Sequence, residues 1–243
     1  PIFLHKLAGS IYWEDNEWPE DIEYWIAPSS RGIETAETYS WNFLYNWQLS
    51  NSAFIDLKYA GYHTADDYLP VTGDMDTPPH HDWALGVVSG GCIWTLWMWT
   101  EYRHQAHANV SYFAEDFLGG DHEFKVGAQY YYGDSVYSSG YAGEGYYYDY
   151  YGLPYYFYER EVYMVGSAEK SFGGFVDDSW KIGDRMTLNL GFRFDFINCF
   201  VPEMPIMDGW AGESGETSPK IPDYIVWNSF SPRIGLVFSL TSD

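Results

Sequence analysis

The middle of the chain is crowded with tyrosines, a residue type suited to binding flat or hydroxylated ligands. Residues 133–165 are rich in Tyr and Gly and show no regular hydrophobic period. A tyrosine ring can stack on a sugar or an aromatic ligand while its hydroxyl group makes a hydrogen bond. The same rings could instead pack on one another, contact a neighbouring protein or sit at a membrane interface. The candidate ligand-binding residues are Tyr141, Tyr146, Tyr147, Tyr148, Tyr150, Tyr151, Tyr155 and Tyr156.

A second candidate site is acidic. Asp74 and Asp76 could supply carboxylate oxygens to Ca²⁺, although the spacing of an EF-hand loop is absent. The pair His80-His81 could bind a transition metal, but adjacent side chains in an extended loop rarely converge on one ion. Other carboxylates of the same segment are Asp66, Asp67 and Asp82. We therefore predict no required cofactor, with Ca²⁺ as a candidate in the acidic loops.

Catalysis and nucleic-acid binding find no support in the sequence. No GxSxG, P-loop, HExxH or dinucleotide motif occurs, so we predict that the chain is not an enzyme. The net charge is -23, and carboxylates concentrate in residues 14–23 and 66–82. Binding to phosphate backbones needs clustered Lys and Arg, so nucleic acid is excluded as a partner. Cys92 and Cys199 could form one disulfide or be small buried hydrophobes.

Strands of alternating polarity must position these segments. After a short turn near residues 182–185, Met186 begins a run in which every second residue to Phe196 is apolar, while Arg193 and Asp195 lie on the other side. A period of two indicates a strand with a different environment on each face. The apolar side is a core in a soluble sandwich and faces lipid in an outer-membrane barrel. Similar patterns cover residues 41–49, 53–59, 93–115, 123–130 and 230–240.

The lengths of the connections favour the barrel. Connections near residues 50–52, 116–120 and 182–185 are short, whereas 63–91, 133–165 and 200–227 are long, so the two kinds alternate. Outer-membrane barrels have this asymmetry, and soluble sandwiches have Greek-key connections instead. The predicted fold is therefore an all-β, antiparallel transmembrane β-barrel segment with short periplasmic turns and long extracellular loops. Charged residues predicted to face the lumen are Lys58, Lys125, Arg193, Asp195 and Arg233.

Three motifs resemble the barrel strands of TonB-dependent outer-membrane receptors. Residues 175–195 read FVDDSWKIGDRMTLNLGFRFD, residues 230–238 read FSPRIGLVF, and residues 120–127 read GDHEFKVG. These motifs span about residues 105–240 in the order and spacing of the receptors, and the resemblance is to the Oar-like branch. Asp177 departs from the family pattern, in which Gln is usual, and this change has little bearing on the fold.

The resemblance implies a barrel of about 22 strands that holds a plug domain and is driven by TonB. Residues 1–243 match neither a plug nor a TonB box, so we interpret them as part of one barrel domain, either from a longer polypeptide or completed by partner chains. Implied partners are outer-membrane lipid, TonB acting through a plug, and a surface lipoprotein. The expected function is ligand uptake across the bacterial outer membrane. Alternatives are a scaffold or interaction subunit of a surface assembly, and a soluble, secreted glycan-binding β protein.

Overall fold

Extended strands form most of the chain. The computed structural model describes residues 4–19 and 23–240, and single 3₁₀ turns lie at Pro28–Ser30, Ala142–Glu144 and Gly209–Ala211. The strands of these ranges are β1 (His5–Pro19), β2 (Gly32–Gln48), β3 (Ala53–Pro70), β4 (Pro79–Asp82), β5 (Val87–Gly90), β6 (Leu96–Phe117), β7 (Gly120–Gly140), β8 (Gly145–Tyr150), β9 (Leu153–Glu159), β10 (Tyr163–Ile182), β11 (Met186–Val201), β12 (Met204–Met207), β13 (Glu213–Ser218) and β14 (Ile221–Phe238). Within the same ranges, no helix has the length and apolar character needed to cross a membrane.

Eight long strands form the main sheet, in the order β1-β2-β3-β6-β7-β10-β11-β14. Every neighbouring pair is antiparallel. The sheet does not close on itself within the described residues, because β1 and β14 stand at opposite edges. Two smaller sheets, β5-β4-β8-β9 and β12-β13, lie in the connections between the long strands. The all-β, antiparallel prediction is confirmed.

The strand register divides the main sheet into an apolar face and a polar face. Directly paired residues share a face, so Val110, Val126, Val176 and Phe192 form one row on the apolar face. The next row along the strands belongs to the polar face. The apolar stretch of β11 runs from Leu188 to Phe196, and a tilted strand of that length covers roughly the 25 Å band of a membrane barrel.

Connection lengths alternate as predicted. Residues 49–52, 118–119 and 183–185 make short turns at one end of the main sheet, and residues 71–95, 141–162 and 202–220 make long connections at the other. We call these the short-turn end and the long-connection end. At the tightest turn, Leu118 and Gly119 have φ of 48° and 86°. Two successive positive values are typical of a type I′ hairpin, whose twist matches that of the flanking strands.

The strands extend further than predicted at the long-connection end. β2 begins at Gly32 rather than residue 41, and β3 continues to Pro70, so Asp66 and Asp67 lie on a strand and not in a loop. Beyond the apolar band both faces of a strand can meet water, so the sequence there loses the alternation that reveals a strand. β1 was missed, and it contains Glu14 of the acidic segment 14–23. Residues 1–3, 20–22 and 241–243 of the predicted domain lie outside the described residues.

Candidate functional site at the long-connection end

The long connections pack together into one unit, here called the cap, which consists of residues 23–31, 71–95, 141–162 and 202–220. The indole Nε1 of Trp210 donates to the carbonyl oxygen of Tyr141 at 2.9 Å, so the third connection is tied to the second. The backbone N–H of Gly143 donates to the carbonyl oxygen of Met75 at 2.8 Å, so the second is tied to the first. The sequence predicted three separate loops, and the hydrogen bonds make them one body.

Two small hydrophobic clusters form the interior of the cap and its contact with strands β3 and β6. The first cluster contains Ile26, Val88, Ile93 and Tyr146. The second contains Tyr68, Cys92, Leu96 and Ala142, and it packs against Met75, Trp97 and Trp210. Neither Cys92 nor Cys199 forms a disulfide, and Cys92 is fully buried in the second cluster. The buried-hydrophobe interpretation of Cys92 is therefore correct.

Asp82 clamps the tip of the β8–β9 hairpin. Its buried carboxylate accepts backbone N–H groups from Tyr151 at 3.2 Å and Gly152 at 2.5 Å, across nearly seventy residues of chain. It also accepts the N–H groups of Ala84 and Leu85, at 2.9 and 3.0 Å. Burial by itself would raise the pKa of Asp82, but these four hydrogen bonds favour the ionised form and lower its pKa below the ordinary value. The sequence showed Asp82 only as one carboxylate of an acidic segment, a candidate for solvation or cation binding.

The eight candidate tyrosines divide into an inner and an outer set. The inner set packs ring against ring: the Tyr146 and Tyr148 centroids are 4.9 Å apart, and Tyr147 lies 4.5 Å from both His80 and Phe157. Burial raises the pKa of Tyr146, the most enclosed of them. Tyr141 belongs to the same packed set. The outer set is exposed on the hairpin: Tyr150, Tyr151, Tyr155 and Tyr156.

The outer set extends into a larger apolar surface that sequence reasoning missed. β9 is an edge strand of its sheet, and each of its seven residues is exposed. Leu153 and Tyr155 are 72% and 75% exposed, values that leave most of each side chain available for contact. The alternation of polarity that usually flags an edge strand is absent from its sequence, LPYYFYE.

The acidic residues of the cap do not gather around one point. The Asp74 carboxylate accepts the backbone N–H groups of Asp76 and Thr77, both at 3.0 Å. Hydrogen bonds from the Thr77 side chain and from these two backbone groups lower the pKa of Asp74. Across residues 4–19 and 23–240, no group of three or more His, Cys, Asp and Glu side chains is arranged to hold a metal ion. Ca²⁺ binding at Asp74 and Asp76 stays a prediction.

The two adjacent histidines point to opposite sides of strand β4, because successive strand residues alternate. The Nδ1 atom of His80 lies 2.9 Å from the Oδ2 atom of Asp149. His81 stacks instead on Trp25, with ring centroids 6.2 Å apart. A shared transition-metal site at this pair therefore has no geometric support.

The five charged residues predicted to face a lumen share the polar face of the main sheet. The register pairs Lys125 with Asp177 on β10, and Asp177 in turn shares its row with Arg233. The guanidinium of Arg193 donates to both carboxylate oxygens of Asp195, with both distances 2.6 Å. Lys58 also lies on this face, opposite His107.

Comparison with known proteins agrees with this architecture. A family model described as TonB dependent receptor-like, beta-barrel, matches residues 6–243. The TonB-dependent transporter Oar of Myxococcus xanthus is 32% identical over 74 residues, which are 30% of this chain and 6% of Oar. The resemblance to the Oar-like branch is thereby confirmed.

A solved structure shares this fold. The unliganded ferric citrate transporter FecA superposes with a TM-score of 0.50 at 16% identity, over 88% of this chain and 26% of FecA. The ferric-catecholate import receptor Fiu of E. coli K12 gives 0.49 at 12% identity, over 90% of this chain and 32% of Fiu. The chain thus spans about a quarter to a third of these receptors. Since one family model matches almost its full length, the chain belongs to the TonB-dependent receptor-like β-barrels of the bacterial outer membrane.

Proposed function

We infer that this chain forms part of the wall and surface cap of a transporter that imports a ligand across the outer membrane. The observation that carries this proposal is the main sheet with its two different faces. Its apolar face is continuous across eight strands, and its polar face carries the Arg193–Asp195 ion pair and the Gln129 amide. In an outer-membrane barrel the apolar face meets lipid and the polar face lines the lumen. Lys58, Lys125, Arg193, Asp195 and Arg233 then line the route of the ligand.

The cap lies at the long-connection end, which is the cell-surface end of such a barrel. Its outer tyrosines offer flat faces and hydroxyl groups to a ligand arriving from outside. The Asp82 clamp supports this role. It fixes the tip of the hairpin before a ligand arrives, so the hairpin loses less conformational entropy when the ligand binds. The inner tyrosines, by contrast, maintain the shape of the cap.

The energy for import comes from TonB, acting on a plug domain seated against the polar face. The charges of that face suit a hydrated interface of this kind. The ligand belongs to the classes that such receptors take up, namely siderophores, cobalamin, glycans or peptides.

Depletion of ligands from the medium by intact cells tests this proposal. Cells with the full-length receptor, or without it, are supplied with a dilute panel of ferric siderophores, cobalamin, oligosaccharides and peptides, with and without a protonophore. We expect one ligand to be depleted only by energised cells that contain the receptor. Depletion of every ligand at the same rate in both strains would contradict transport.

The role of the outer tyrosines is tested with a quadruple variant, in which Tyr150, Tyr151, Tyr155 and Tyr156 become Ser. Because these rings are exposed, we expect normal insertion but loss of ligand depletion. The matched control is Tyr163→Ser, a tyrosine outside the cap and also partly exposed. Unchanged uptake by the quadruple variant would contradict a role of the hairpin in ligand recognition, but it would not contradict transport.

A second function, as an interaction subunit of a surface assembly, is favoured by the free edge of β9. An exposed edge strand can accept another strand, and its aromatic side chains would add contact area. A surface lipoprotein is a partner of the required kind, as are chains that complete the barrel. The third hypothesis, a soluble secreted protein, is contradicted because the chain belongs to a family of outer-membrane barrels.

A further inference from the structure

We propose that the polar face of the main sheet binds a short peptide whose two termini are both free. The site consists of Arg103 on β6, Glu169 on β10 and the hydroxyl group of Tyr131 on β7. These residues lie outside the cap and are distinct from the five charged residues already placed along the route of the ligand. The inference rests on the proposed function, because it names the class of ligand that the transporter takes up.

One row of the sheet places the two charges on either side of a glycine. Arg103 pairs with Gly133 on β7, and Gly133 pairs with Glu169 on β10. Arg103 lies an even number of residues from His107, which faces Lys58, so this row belongs to the polar face. Neighbouring strands are about 4.8 Å apart, so the backbones of Arg103 and Glu169 are separated by roughly 10 Å.

The side chain of Tyr131 fills the space between the two charges. Its hydroxyl oxygen lies over Gly133, only 2.5 Å from the position that a Cβ atom would take there. The guanidinium carbon of Arg103 is 5.0 Å from the centre of the Tyr131 ring, which is a distance typical of a cation–π contact. Because the guanidinium stacks on this ring, it does not reach across the glycine to Glu169.

Neither charge has an ion-pair partner within residues 4–19 and 23–240, since the ion pairs there involve other side chains. The Nε atom of Arg103 is buried and has no hydrogen-bond partner. The nearest carboxylate along the same strand, Glu101, accepts a hydrogen bond from the hydroxyl group of Tyr62 instead. Arg103 and Glu169 are both half-buried, and a half-buried charge without a partner is unfavourable. A ligand that supplies both opposite charges is therefore stabilised at this site.

Two unpaired charges of opposite sign select a peptide. Its terminal carboxylate can form two parallel hydrogen bonds with the guanidinium of Arg103, and its terminal ammonium group matches the carboxylate of Glu169. The amide groups between the termini meet the Tyr131 hydroxyl and the side chains of Gln105 and Gln129, which line the same cavity. The cavity has a volume of about 390 Å³, within the range of about 300–1,000 Å³ that is usual for small ligands.

Other ligand classes leave part of this site unsatisfied. A ligand with only one sign of charge pairs with Arg103 or with Glu169, but not with both. A sugar needs a free aromatic face for stacking, and the guanidinium of Arg103 already covers one face of Tyr131. A peptide with free termini satisfies all three groups.

The height of the site along the sheet suits a role in uptake. Strand β6 begins at the long-connection end with Leu96, so Arg103 lies nearer the cap than His107 and Lys58 do. A ligand that leaves the cap therefore meets this site before the charged residues deeper in the lumen.

Equilibrium dialysis of tritiated peptides against the purified full-length receptor tests the proposal. The probes are trialanine, trialanine amide, which lacks the terminal carboxylate, and N-acetyltrialanine, which lacks the terminal ammonium group. We expect each modification to weaken binding to the wild type about ten-fold, because each removes a hydrogen bond between charged groups. This comparison needs no variant, so it does not depend on the insertion of a mutant protein.

Two variants assign the ends of the peptide. Arg103→Gln should bind trialanine and its amide equally, and it should still discriminate against N-acetyltrialanine. Glu169→Gln should show the reverse pattern. The matched controls are Arg185→Gln and Asp184→Asn, which remove the same charges from an exposed turn at the short-turn end and should bind all three peptides as the wild type does.

Equal binding of the three peptides by the wild type would overturn the proposal, and so would undetectable binding of trialanine. The same holds if Arg103→Gln and Glu169→Gln lose discrimination at the same end of the peptide. Dialysis needs no energised cells, so these outcomes are separate from those of the uptake assay. Energised uptake of another ligand without trialanine binding would contradict the peptide site alone, whereas peptide binding without energised uptake of any ligand would contradict transport alone.

Discussion

Val110 and Asn109 are neighbours in sequence but lie on opposite faces of strand β6, so a lysine at each position compares the two faces directly. Val110 belongs to the row that also contains Val126, Val176 and Phe192, the midpoint of the apolar stretch of β11. Its side chain is 44% exposed, so a lysine meets no steric obstacle there. The comparison therefore measures the solvent on each side rather than packing.

The expected cost follows from the depth of the substitution. A lysine at the midplane of the lipid-facing side of a barrel destabilises it by about 2–4 kcal/mol. For Val110→Lys this corresponds to a roughly 30- to 1,000-fold shift of the folding equilibrium. Asn109→Lys places the same charge on the polar face, opposite Asp56, where we expect a change within about 0.5 kcal/mol.

Urea unfolding of the full-length receptor in phospholipid vesicles measures both values. The two variants share the same added charge and the same strand, so their difference removes effects on the unfolded chain. The assignment of the faces fails if the two variants lose equal stability, or if Asn109→Lys loses more. If Val110→Lys lowers the free energy of unfolding by less than about 1 kcal/mol, this row lies near a membrane interface and not at the midplane.

Three further outcomes follow from the structure. Because the pKa of Asp82 is lowered, its hydrogen bonds to the hairpin should persist from neutral pH to below the ordinary carboxyl pKa of about 3.9 and fail only in stronger acid. Asp82→Asn should expose the β8–β9 hairpin to protease already at pH 7. Gly61→Ala overlaps a backbone carbonyl of the adjacent strand and should cost about 1–3 kcal/mol in urea unfolding; Gly174→Ala, whose nearest atom is 3.7 Å away, should cost much less. A double-mutant cycle of Arg193 and Asp195 should give a coupling of at most about 1 kcal/mol that falls with salt, since both side chains are partly exposed; a coupling above about 3 kcal/mol would mean that this face is dry.

The hairpin around residues 182–185 was predictable because lipid imposes a strict rule on one face of a strand. Within the apolar band every second residue must be apolar, and Met186–Phe196 obeys this over the whole band. Outside the band the rule lapses. Strand β3 therefore continues to Pro70 and includes Asp66 and Asp67. These residue types are typical of loops, so the sequence does not indicate that the strand continues.

The candidate site was only partly predictable, because its geometry depends on contacts between distant segments. The pairing of His80 with Tyr147 joins strands β4 and β8, which are separated by two long strands of the main sheet. The tyrosines of residues 141–158 form a run without alternation of polarity, so the sequence cannot separate the packed rings, such as Tyr146 and Tyr148, from the exposed ones, such as Tyr155. Asp82 likewise gains its partners, Tyr151 and Gly152, only after this pairing has formed.

The abundance of tyrosine in an acidic, polar chain has a physical explanation in the cap. The cap cannot bury a large aliphatic core, because it is small. Tyrosine rings pack against one another and still expose their hydroxyl groups, so a cluster such as Tyr141, Tyr146 and Tyr148 orders the cap without needing a dry interior. The same residue type can then extend to the outer surface of the hairpin at no cost in solubility. Packed and exposed rings are thus built from one kind of side chain: the tyrosines of β8 from Tyr146 to Tyr148 pack inside the cap, whereas those of the edge strand β9 are exposed.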